Sequence, residues 1–373
     1  MKNTKLIPLV DLKEQYGLLK EEIEPKIKEV LEKTQFIGFR NNPFIREFED
    51  SFAAYIGARH CISCGNGTDA IEIIFRALGI GENDEVIVPA NSFIASSEAI
   101  THAGAKPVFV DCHPDYYTID ITKIEKAITK KTKAIIPVHL YGLPAEMNET
   151  IKLADEFGLK VIEDCAQAHG ATYHGKKVGT FGVASSFSFY PGKNLGAYGD
   201  AGCMITNDDN LADKLRMWSN HGRTGKYDHE FEGKNSRMDV LQAAILSVKL
   251  KYLDLWNEKR NHVAKRYHDN LKDSKFILPL NPSYSYHVYH QFVVRCENRE
   301  TIREKLKNNN IETGIHYPIP LPFLKAYAHY GHTKEDFPVS YGYMNNLLSL
   351  PMYPELSDNM VDYICECLLL SQK

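Results

Sequence analysis

The sequence predicts an α/β protein in which a large domain with a mostly parallel β-sheet precedes a smaller α+β domain. From about residue 60 to 205, short β-branched runs alternate with segments whose apolar residues recur at helical spacing. That alternation is typical of a buried parallel sheet with helical connections. The chain has 373 residues, more than one hydrophobic core usually serves, so we expect a large domain at 1–245 and a small one at 246–373.

The segments of the large domain follow from these patterns in chain order. Strands are expected at 84–93, 105–111, 132–142, 159–167, 184–189 and 202–208, and helices at 70–78, 149–158 and 208–222. The strand ASSFSF at 184–189 alternates serine with phenylalanine, which predicts a half-exposed or edge strand. After the helix expected at 208–222, the polar stretch RTGKYDHEFEGKNSRMD is too long for an ordinary connection, and loops of this length are often functional.

The small domain begins within one long helical pattern at 240–271, whose length suits a helix that bridges the two domains. Strands are expected beyond it at 289–296 and 347–353, and helices at 299–309 and 358–370. This mixture of short strands and helices predicts an α+β arrangement.

Charge and hydropathy exclude several classes of partner. The formal net charge is -4 and the basic residues are spread along the chain, whereas a nucleic-acid site needs clustered Lys and Arg. The apolar run before Asp11 has only five residues, too few for a secretory leader, and no stretch approaches the roughly 20 apolar residues that span a bilayer. We therefore expect a cytoplasmic protein that binds neither nucleic acid nor membrane.

The eight cysteines are scattered, and a cytoplasmic chain with its own core does not need disulfides. Cys61 and Cys64 form a CxxC motif, but no second CxxC or HxxxH lies at zinc-finger spacing. We predict buried or strand-end thiols and no metal site.

Polar and aromatic residues follow several of the predicted strands. Phe93, His139, Tyr141, Asp164 and Lys193 each come where a strand ends. In open α/β sheets, ligands bind outside the carboxyl ends of the strands. A carboxylate, an aromatic ring and a lysine are therefore expected to face one crevice.

The segment CGNGTD supplies a candidate phosphate site. Gly65 and Gly67 let the backbone bend close to a ligand, and Thr68 and Asp69 open a helix whose free N–H groups attract an anion. The same letters also fit a plain turn and helix N-cap.

Lys193 lies in SFSFYPGKNLGAYGDAG, which has glycines at 192, 196, 199 and 202. These glycines suit backbone packed closely around a bound group, although Pro-Gly-Lys-Asn also fits a surface turn. A lysine held in a pocket is desolvated, which lowers its pKa and makes its amine nucleophilic. Asp164 has an alternative too, as a strand-end carboxylate that caps the next turn.

Pyridoxal phosphate needs all of these groups: a lysine for its aldehyde, an acid for its ring nitrogen, an aromatic side chain for its ring and a helix N-terminus for its phosphate. Other cofactors fit worse. GATYHGKK at 170–177 lacks the Ser or Thr of a Walker A loop, and no GxGxxG follows a strand. GxSxG and HExxH are also absent, so pyridoxal phosphate is the predicted cofactor.

Six stretches resemble the DegT/DnrJ/EryC1/StrS family of nucleotide-sugar aminotransferases in their order and spacing. They are GNGTDAIE, DEVIVPANSFIAS, VIEDCAQAHGA, SFYPGKNLGAYGDAG, GKNSRMDVLQAAIL and GIHYPIP. The resemblance covers nearly the whole chain. It implies the aspartate-aminotransferase (type I) fold and a homodimer whose active sites lie at the subunit interface.

Carried over residue by residue, the resemblance makes Lys193 the residue that binds the cofactor's aldehyde and Asp164 the partner of its ring nitrogen. The other residues it implies contact the cofactor or the substrate. The phosphate contacts would be Gly67, Thr68, Asp69 and Ser188, with Asn235 from the neighbouring subunit; the ring contacts would be Phe93 and, near the phenolic oxygen, Gln167; the substrate contacts would be Tyr190, Arg237, His316 and Tyr317.

Within the family, SFYPGKNLGA with NSRMDVLQAAIL is most similar to enzymes that aminate C3 of a dTDP-linked 3-keto-6-deoxyhexose. L-Glutamate would donate the amino group and leave as 2-oxoglutarate. The product would be a dTDP-3-amino-3,6-dideoxyhexose for surface polysaccharide, such as lipopolysaccharide O-antigen, or for an antibiotic sugar. A UDP-linked 3-keto sugar or a 4-keto sugar is the alternative substrate, and Tyr190 stands where many relatives have histidine.

Two other classes of function share the predicted fold. A sugar dehydratase uses the cofactor without transamination and has histidine in place of the lysine, so Lys193 argues against it. A non-catalytic regulator would bind cofactor or amino sugar without turnover, which an intact lysine, acid and phosphate cup disfavour.

Overall fold

A computed structural model of the chain describes residues 6–371. Residues 1–5 and 372–373 lie outside that range, and the prediction that the chain starts without a secretory leader falls partly on them. The helices are α1 (Leu12–Lys33), α2 (Pro43–Ile56), α3 (Gly67–Ala77), α4 (Ala95–His102), α5 (Ile121–Ala127), α6 (Met147–Phe157), α7 (Asp209–Trp218), α8 (Val240–Leu250), α9 (Leu253–Leu271), α10 (Arg299–Lys307), α11 (Pro338–Gly342) and α12 (Asp358–Ser371). The strands are β1 (His60–Cys64), β2 (Glu85–Pro89), β3 (Lys106–Val110), β4 (Thr132–Ile135), β5 (Lys160–Asp164), β6 (Thr172–Tyr173), β7 (Lys176–Lys177), β8 (Ala184–Ser188), β9 (Gly202–Thr206), β10 (Ser285–Tyr286), β11 (Phe292–Arg295) and β12 (Leu347–Leu350).

A seven-stranded sheet in the order β1-β9-β8-β5-β4-β2-β3 forms the centre of the large domain. The pairs from β8 to β3 are parallel, and β9 is antiparallel to both of its neighbours. Because β1 and β8 both oppose β9, the carboxyl ends of β1, β2, β5 and β8 lie at one edge. The predicted α/β fold with a mostly parallel sheet is confirmed.

Both faces of the sheet are covered. Successive side chains of a strand point to opposite faces. Val86 and Val88 of β2 accordingly pack in the cluster that contains Phe75 of α3, whereas Ile87 packs in the cluster that contains Phe48 of α2. Burial on both faces explains why these strands are apolar throughout.

The position of β8 differs from the prediction. The alternating letters of 184–189 indicated an edge strand, but β8 lies buried between β5 and β9. The hydroxyl of Ser185 donates to the carbonyl of Gly179 at 2.9 Å, and the hydroxyl of Ser186 approaches the carbonyl of Glu163 at 3.5 Å. The prediction was wrong because small hydroxyl side chains can be buried once they find acceptors inside the protein.

The predicted single helix at 240–271 was also wrong, because α8 and α9 are separated by a turn at Lys251 and Tyr252. No Gly or Pro marks this break. The hydroxyl of Tyr252 donates to Glu22 of α1, and its ring stacks on Trp256 with centroids 5.9 Å apart. Packing against a distant helix therefore accompanies a break that local sequence does not signal.

A second core surrounds the antiparallel pair β11–β12 and the helices α9, α10 and α12. The strands and helices predicted beyond residue 280 are all present within a few residues of their expected bounds. Ile7, near the start of the described chain, packs in this second core. The predicted domain boundary between residues 245 and 246 lies inside α8 and stays a prediction.

The eight cysteines are free and buried, as the sequence indicated. Within residues 6–371, no helix has the combination of length and apolar character that crossing a bilayer requires.

Candidate active site

Asp164 is the last residue of β5 and is 4% exposed. The hydroxyl of Ser96 donates to its Oδ2 at 2.7 Å, and the N–H of Ala166 donates to its Oδ1 at 3.1 Å. These bonds orient the carboxylate and leave part of its acceptor capacity for a ligand, since an ionised carboxylate can accept about four hydrogen bonds.

Lys193 follows β8 and is half-buried. Burial lowers the pKa of its amine from 10.5 to about 8, and the nearby carboxylate of Asp164 raises that pKa in part. An amine with this pKa is unprotonated in an appreciable fraction of molecules near neutral pH, which is the state in which lysine is a nucleophile. This environment does not fit the alternative in which Lys193 is a solvated residue of a surface turn.

The backbone around Lys193 forms a closed loop. The N–H of Ala197 donates to the carbonyl of Phe189 at 2.8 Å, and the N–H of Lys193 donates to the carbonyl of Tyr190 at 2.8 Å. A Cβ added to Gly196 would lie 2.2 Å from the carbonyl oxygen of Pro191. Only glycine permits so close an approach of one backbone segment to another.

Asn194 attaches this loop to the rest of the protein. Its Nδ2 donates to Oδ1 of Asn257 and to the carbonyl of Val288, each at 2.9 Å, and its Oδ1 lies 3.2 Å from Nδ1 of His290. Burial and the charge of Lys193 both lower the pKa of His290. Asn194 therefore reaches α9 and the segment that enters β11, which the sequence did not predict.

The candidate phosphate cup lies between α3 and the end of β8. Asn66 caps α3, because its Oδ1 accepts the N–H of Asp69 at 2.8 Å. A Cβ at Gly67 would lie 2.6 Å from Cβ of Ser188. Helix geometry leaves the N–H groups of Gly67 and Thr68 without intrahelical acceptors, so they are available to an anion. The N-cap interpretation and the phosphate interpretation are thus compatible.

The carboxylate of Asp69, in the first turn of α3, is paired with a lysine. Lys234 places its Nζ 2.6 Å from Oδ1 of Asp69 and 2.5 Å from Oε2 of Glu72. This lysine pairs with two carboxylates in the first turns of α3, and Arg76 also pairs with Glu72, so the two positive charges offset the two negative ones near the helix start. The sequence contained no signal for this pairing.

Three residues predicted to contact the cofactor ring or the substrate meet beside Asp164. The ring of Phe93, 52% exposed, lies 5.7 Å from the ring of Tyr317, and the hydroxyl of Tyr317 accepts from Nε2 of Gln167 at 3.0 Å. Oε1 of Gln167 accepts the N–H of Tyr141 at 2.6 Å. The structure thus brings Phe93, Gln167 and Tyr317 together, as we expected.

His316, in the segment between α10 and α11, joins this group. Its Nδ1 lies 2.8 Å from the hydroxyl of Ser349, and the hydroxyl of Tyr141 donates to its carbonyl. Burial, together with the charge of Lys193, lowers the pKa of His316 to about 4. His316 is therefore neutral at physiological pH, beside a lysine that is often charged.

Asn235 and Arg237 lie apart from this group, on the long polar loop. Asn235 is exposed and pairs with Asn220, and Nη1 of Arg237 lies 3.4 Å from Oδ1 of the same Asn220. Among residues 6–371, none of the hydrogen bonds or ion pairs of Asn235 and Arg237 joins them to Lys193 or Asp164. Tyr190 lies within the loop closed by Phe189 and Ala197, and its side chain is 60% exposed.

His139, which follows β4 in the sequence, is directed away from Asp164. Its Nδ1 accepts the N–H of Ala145 at 2.9 Å, so its Nε2 carries the proton and donates to Glu163 at 3.1 Å. His139, Glu163 and Cys165 have ligand atoms within 4.8 Å of one another. Because both ring nitrogens of His139 are occupied, this buried cluster is a hydrogen-bonded part of the core.

The residues present fit pyridoxal phosphate. The site contains an amine of lowered pKa, a buried carboxylate, a half-exposed aromatic ring and a helix N-terminus, which are the four groups that this cofactor needs. Sequence reasoning gave no role to Ser96, Asn194 and Lys234, although each lies in one of the six stretches that resemble the family, because a motif does not show which partner a polar side chain contacts.

Comparison with known proteins agrees with this geometry. The model of the DegT/DnrJ/EryC1/StrS aminotransferase family matches residues 18–369. The chain belongs to this family. The predicted family, the aminotransferase class of enzyme and the pyridoxal phosphate cofactor are therefore confirmed.

Relatives extend along almost the whole chain. A pleiotropic regulatory protein of Geobacillus stearothermophilus is 46% identical over 363 residues, which cover 96% of this chain and 97% of that protein. The dTDP-3-amino-3,6-dideoxy-alpha-D-galactopyranose transaminase of Aneurinibacillus thermoaerophilus is 46% identical over 361 residues, covering 97% of this chain and 98% of the relative.

A solved structure has nearly the same backbone. S. venezuelae DesV, crystallised in complex with a ketimine intermediate, is 40% identical and superposes with a TM-score of 0.96 over 99% of this chain and 100% of that chain. The fold of this protein is thus that of the pyridoxal phosphate-dependent aminotransferases, as the sequence predicted.

Proposed function

We propose that this protein transfers an amino group from L-glutamate to C3 of a dTDP-linked 3-keto-6-deoxyhexose. The observation that carries the proposal is the amine of Lys193, whose pKa is lowered to about 8, held beside the buried carboxylate of Asp164. The specific sugar is supported by the motifs SFYPGKNLGA and NSRMDVLQAAIL and by a relative named as a transaminase for a dTDP-linked 3-amino sugar. UDP-linked 3-keto sugars and 4-keto sugars are the alternative substrates.

When bound, pyridoxal phosphate supplies an aldehyde that carries the amino group and a ring that accepts electrons. Asp164 would hold the proton at the ring nitrogen. Nζ of Lys193 would take the α-proton of glutamate and pass it to the cofactor in the first half-reaction, and in the second it would carry a proton from the cofactor to C3 of the sugar. Gly67, Thr68 and Ser188 would hold the phosphate, and Phe93 would contact the ring.

Two subunits complete each site in this proposal. Asn235 is exposed on its own chain and would reach the phosphate of the neighbouring subunit. Its neighbours Lys234 and Ser236 are tied to their own subunit, because Lys234 binds Asp69 and the Ser236 hydroxyl accepts the N–H of Gly65 at 3.1 Å. The backbone is therefore held so that the intervening side chain faces outward.

A basic cavity beside Asn235 is suited to the diphosphate of the sugar nucleotide. It has a volume of about 530 Å³ and is lined by Arg237 and by four other basic residues, namely Arg40, Arg216, Arg223 and Lys226. Glu49 also lines it and pairs with Arg216 at 2.9 Å and with Arg40 at 3.4 Å. Arg223, Lys226 and Arg237 supply positive charge in excess of this acid, which favours a dianionic ligand.

The role of Lys193 is tested with Lys193→Ala in the full-length protein. We expect the variant to lose at least about 10³-fold in turnover, since it lacks both the nucleophile and the proton carrier. Reduction of the wild-type protein with borohydride should attach the cofactor to the peptide that contains Lys193. Lys251→Ala, at an exposed lysine, is the control and should retain wild-type turnover. Turnover by Lys193→Ala at the wild-type rate would contradict the proposal.

The substrate is tested with a panel of dTDP- and UDP-linked 3-keto and 4-keto sugars in the presence of glutamate. Mass spectrometry and NMR of the aminated carbon identify the product. Amination at C4, or of UDP-sugars alone, would replace the proposed substrate. Failure of glutamate to change the cofactor spectrum would instead favour the regulator, a class that the name of the Geobacillus stearothermophilus relative brings to attention.

A further inference from the structure

A fully buried lysine lies close to the loop of residues 189–197, which contains Lys193. Lys249, near the end of α8, is 1% exposed, and its ammonium donates to the carbonyl of Gly196. Its Nζ also lies 5.0 Å from the ring centroid of Tyr198 and 5.9 Å from that of Trp256. Burial lowers the pKa of Lys249 to about 7, against an opposing effect of the Glu355 carboxylate.

Burial of this lysine is costly to the fold. Removing an ammonium from water costs several kcal/mol, and hydrophobic residues of similar volume often replace buried charged groups without loss of stability. The cost of burying the ammonium therefore opposes what its hydrogen bond contributes to fold stability. The group that Lys249 holds, the carbonyl of Gly196, lies three residues after Lys193.

Besides its own backbone hydrogen bonds, the loop is held from two sides. On one side, Asn194 binds Asn257 and Val288; on the other, α8 holds the chain through Lys249 and through Gln242, whose Oε1 accepts the N–H of Tyr198 at 2.9 Å. Within residues 6–371, Lys249 is the donor shown for the buried carbonyl of Gly196, which would lose this hydrogen bond without it. The loop would then have reason to move, because an unsatisfied buried carbonyl is unfavourable.

We propose that Lys249 is a positioning residue for the reaction. By holding the carbonyl of Gly196, it fixes the loop that presents Nζ of Lys193 to the crevice containing Asp164. The inference rests on the proposed role of Lys193 as the residue that binds the cofactor's aldehyde.

The test compares Lys249→Met with the wild type and with Lys251→Met, a control at an exposed lysine of the same region. We expect pyridoxal phosphate to bind Lys249→Met about tenfold more weakly, as loss of one charged hydrogen bond implies. At saturating cofactor, we expect a smaller fraction of it to be trapped on Lys193 by borohydride and a lower kcat. The urea midpoint of the apoprotein should stay the same or rise, which a purely structural role does not predict.

Two results would overturn the inference. One is cofactor affinity and borohydride trapping in Lys249→Met equal to those of the wild type. The other is loss of the apoprotein fold in both Lys249→Met and Lys249→Gln, which would make Lys249 a residue of the fold and not of the loop. Absence of cofactor from Lys193 in the wild type would contradict the proposed function itself, so the two failures are distinguishable.

Discussion

Glu163 and Asp164 are consecutive carboxylates on β5, yet they lie in opposite environments. Glu163 is 0% exposed and accepts hydrogen bonds from three backbone N–H groups and from His139. Asp164 accepts from the Ser96 hydroxyl and one backbone N–H, and its charge acts on Lys193. The alternation of side chains along a strand is what separates the two residues.

The contrast shows how a carboxylate of the core differs from one of an active site. Glu163 accepts hydrogen bonds from the loop after β7, from Gly179 to Gly182, so it joins that loop to the sheet. Asp164 keeps acceptor capacity for a ligand and lies beside an amine. Burial alone would not tell them apart, because both are buried.

Of the substitutions that test this comparison, Asp164→Asn should have the largest effect on turnover. An amide cannot hold the proton at the cofactor's ring nitrogen, so we expect kcat to fall by about 10² to 10³-fold while cofactor still binds. Steady-state kinetics with glutamate and absorbance titration with pyridoxal phosphate measure the two quantities. A rate near that of the wild type would remove the distinction between the two carboxylates.

Glu163→Gln should act on stability instead. Both oxygens of Glu163 accept from N–H groups, and an amide would turn an NH2 group toward some of these donors, so we expect the free energy of unfolding to fall by about 3 kcal/mol, measured by urea denaturation. Turnover per folded molecule should change little. Burial raises the pKa of Glu163, but the hydrogen bonds from His139 and the backbone lower it by more, so it lies below 4.5. The stability that ionised Glu163 contributes is therefore present above pH 4.5 and is lost as the pH falls through the pKa of the folded state. Loss of turnover without loss of stability would reverse the assignment.

The pH dependence of apoprotein stability should show the buried amine of Lys193. Its pKa is about 8 in the folded protein and 10.5 in the unfolded chain, so the unfolded chain binds more protons between these values. The free energy of unfolding should therefore rise with pH from 8 to 10.5. Lys193→Met should show a shallower rise. The difference between the two curves gives the contribution of Lys193 separately from that of Lys249, whose pKa is also lowered by burial. Parallel curves would indicate that Lys193 is solvated.

Ser96→Ala should have the smallest effect. It removes the hydroxyl that donates to Oδ2 of Asp164, a bond of 2.7 Å. We expect kcat to fall by about fivefold, as loss of one hydrogen bond worth about 1 kcal/mol implies. Ser97→Ala, at the neighbouring serine whose hydroxyl contacts Ile94 and Tyr327, is the control and should leave kcat unchanged. Equal effects of the two substitutions would mean that Ser96 acts only through the fold.

Much of the site could be predicted because it follows a rule of topology. Asp164, Phe93 and Lys193 come after strands that end at one edge of the sheet, and GNGTD follows β1, which ends at the same edge. Order along the chain therefore placed these groups near each other without knowledge of any contact. His139 shows where the rule stops, since it also follows a strand and yet turns toward Glu163.

The sequence by itself determined the fold class, the family and the residues at the strand ends, because hydrophobic period, glycine placement and motif spacing are local properties of the chain. Only the tertiary structure decided that β8 is central, that the helix breaks at Tyr252, and that Ser96 binds Asp164 and Lys249 binds Gly196. Those last two contacts join residues 68 and 53 positions apart. Side-chain direction and long-range packing select such partners, and neither is written in a local pattern.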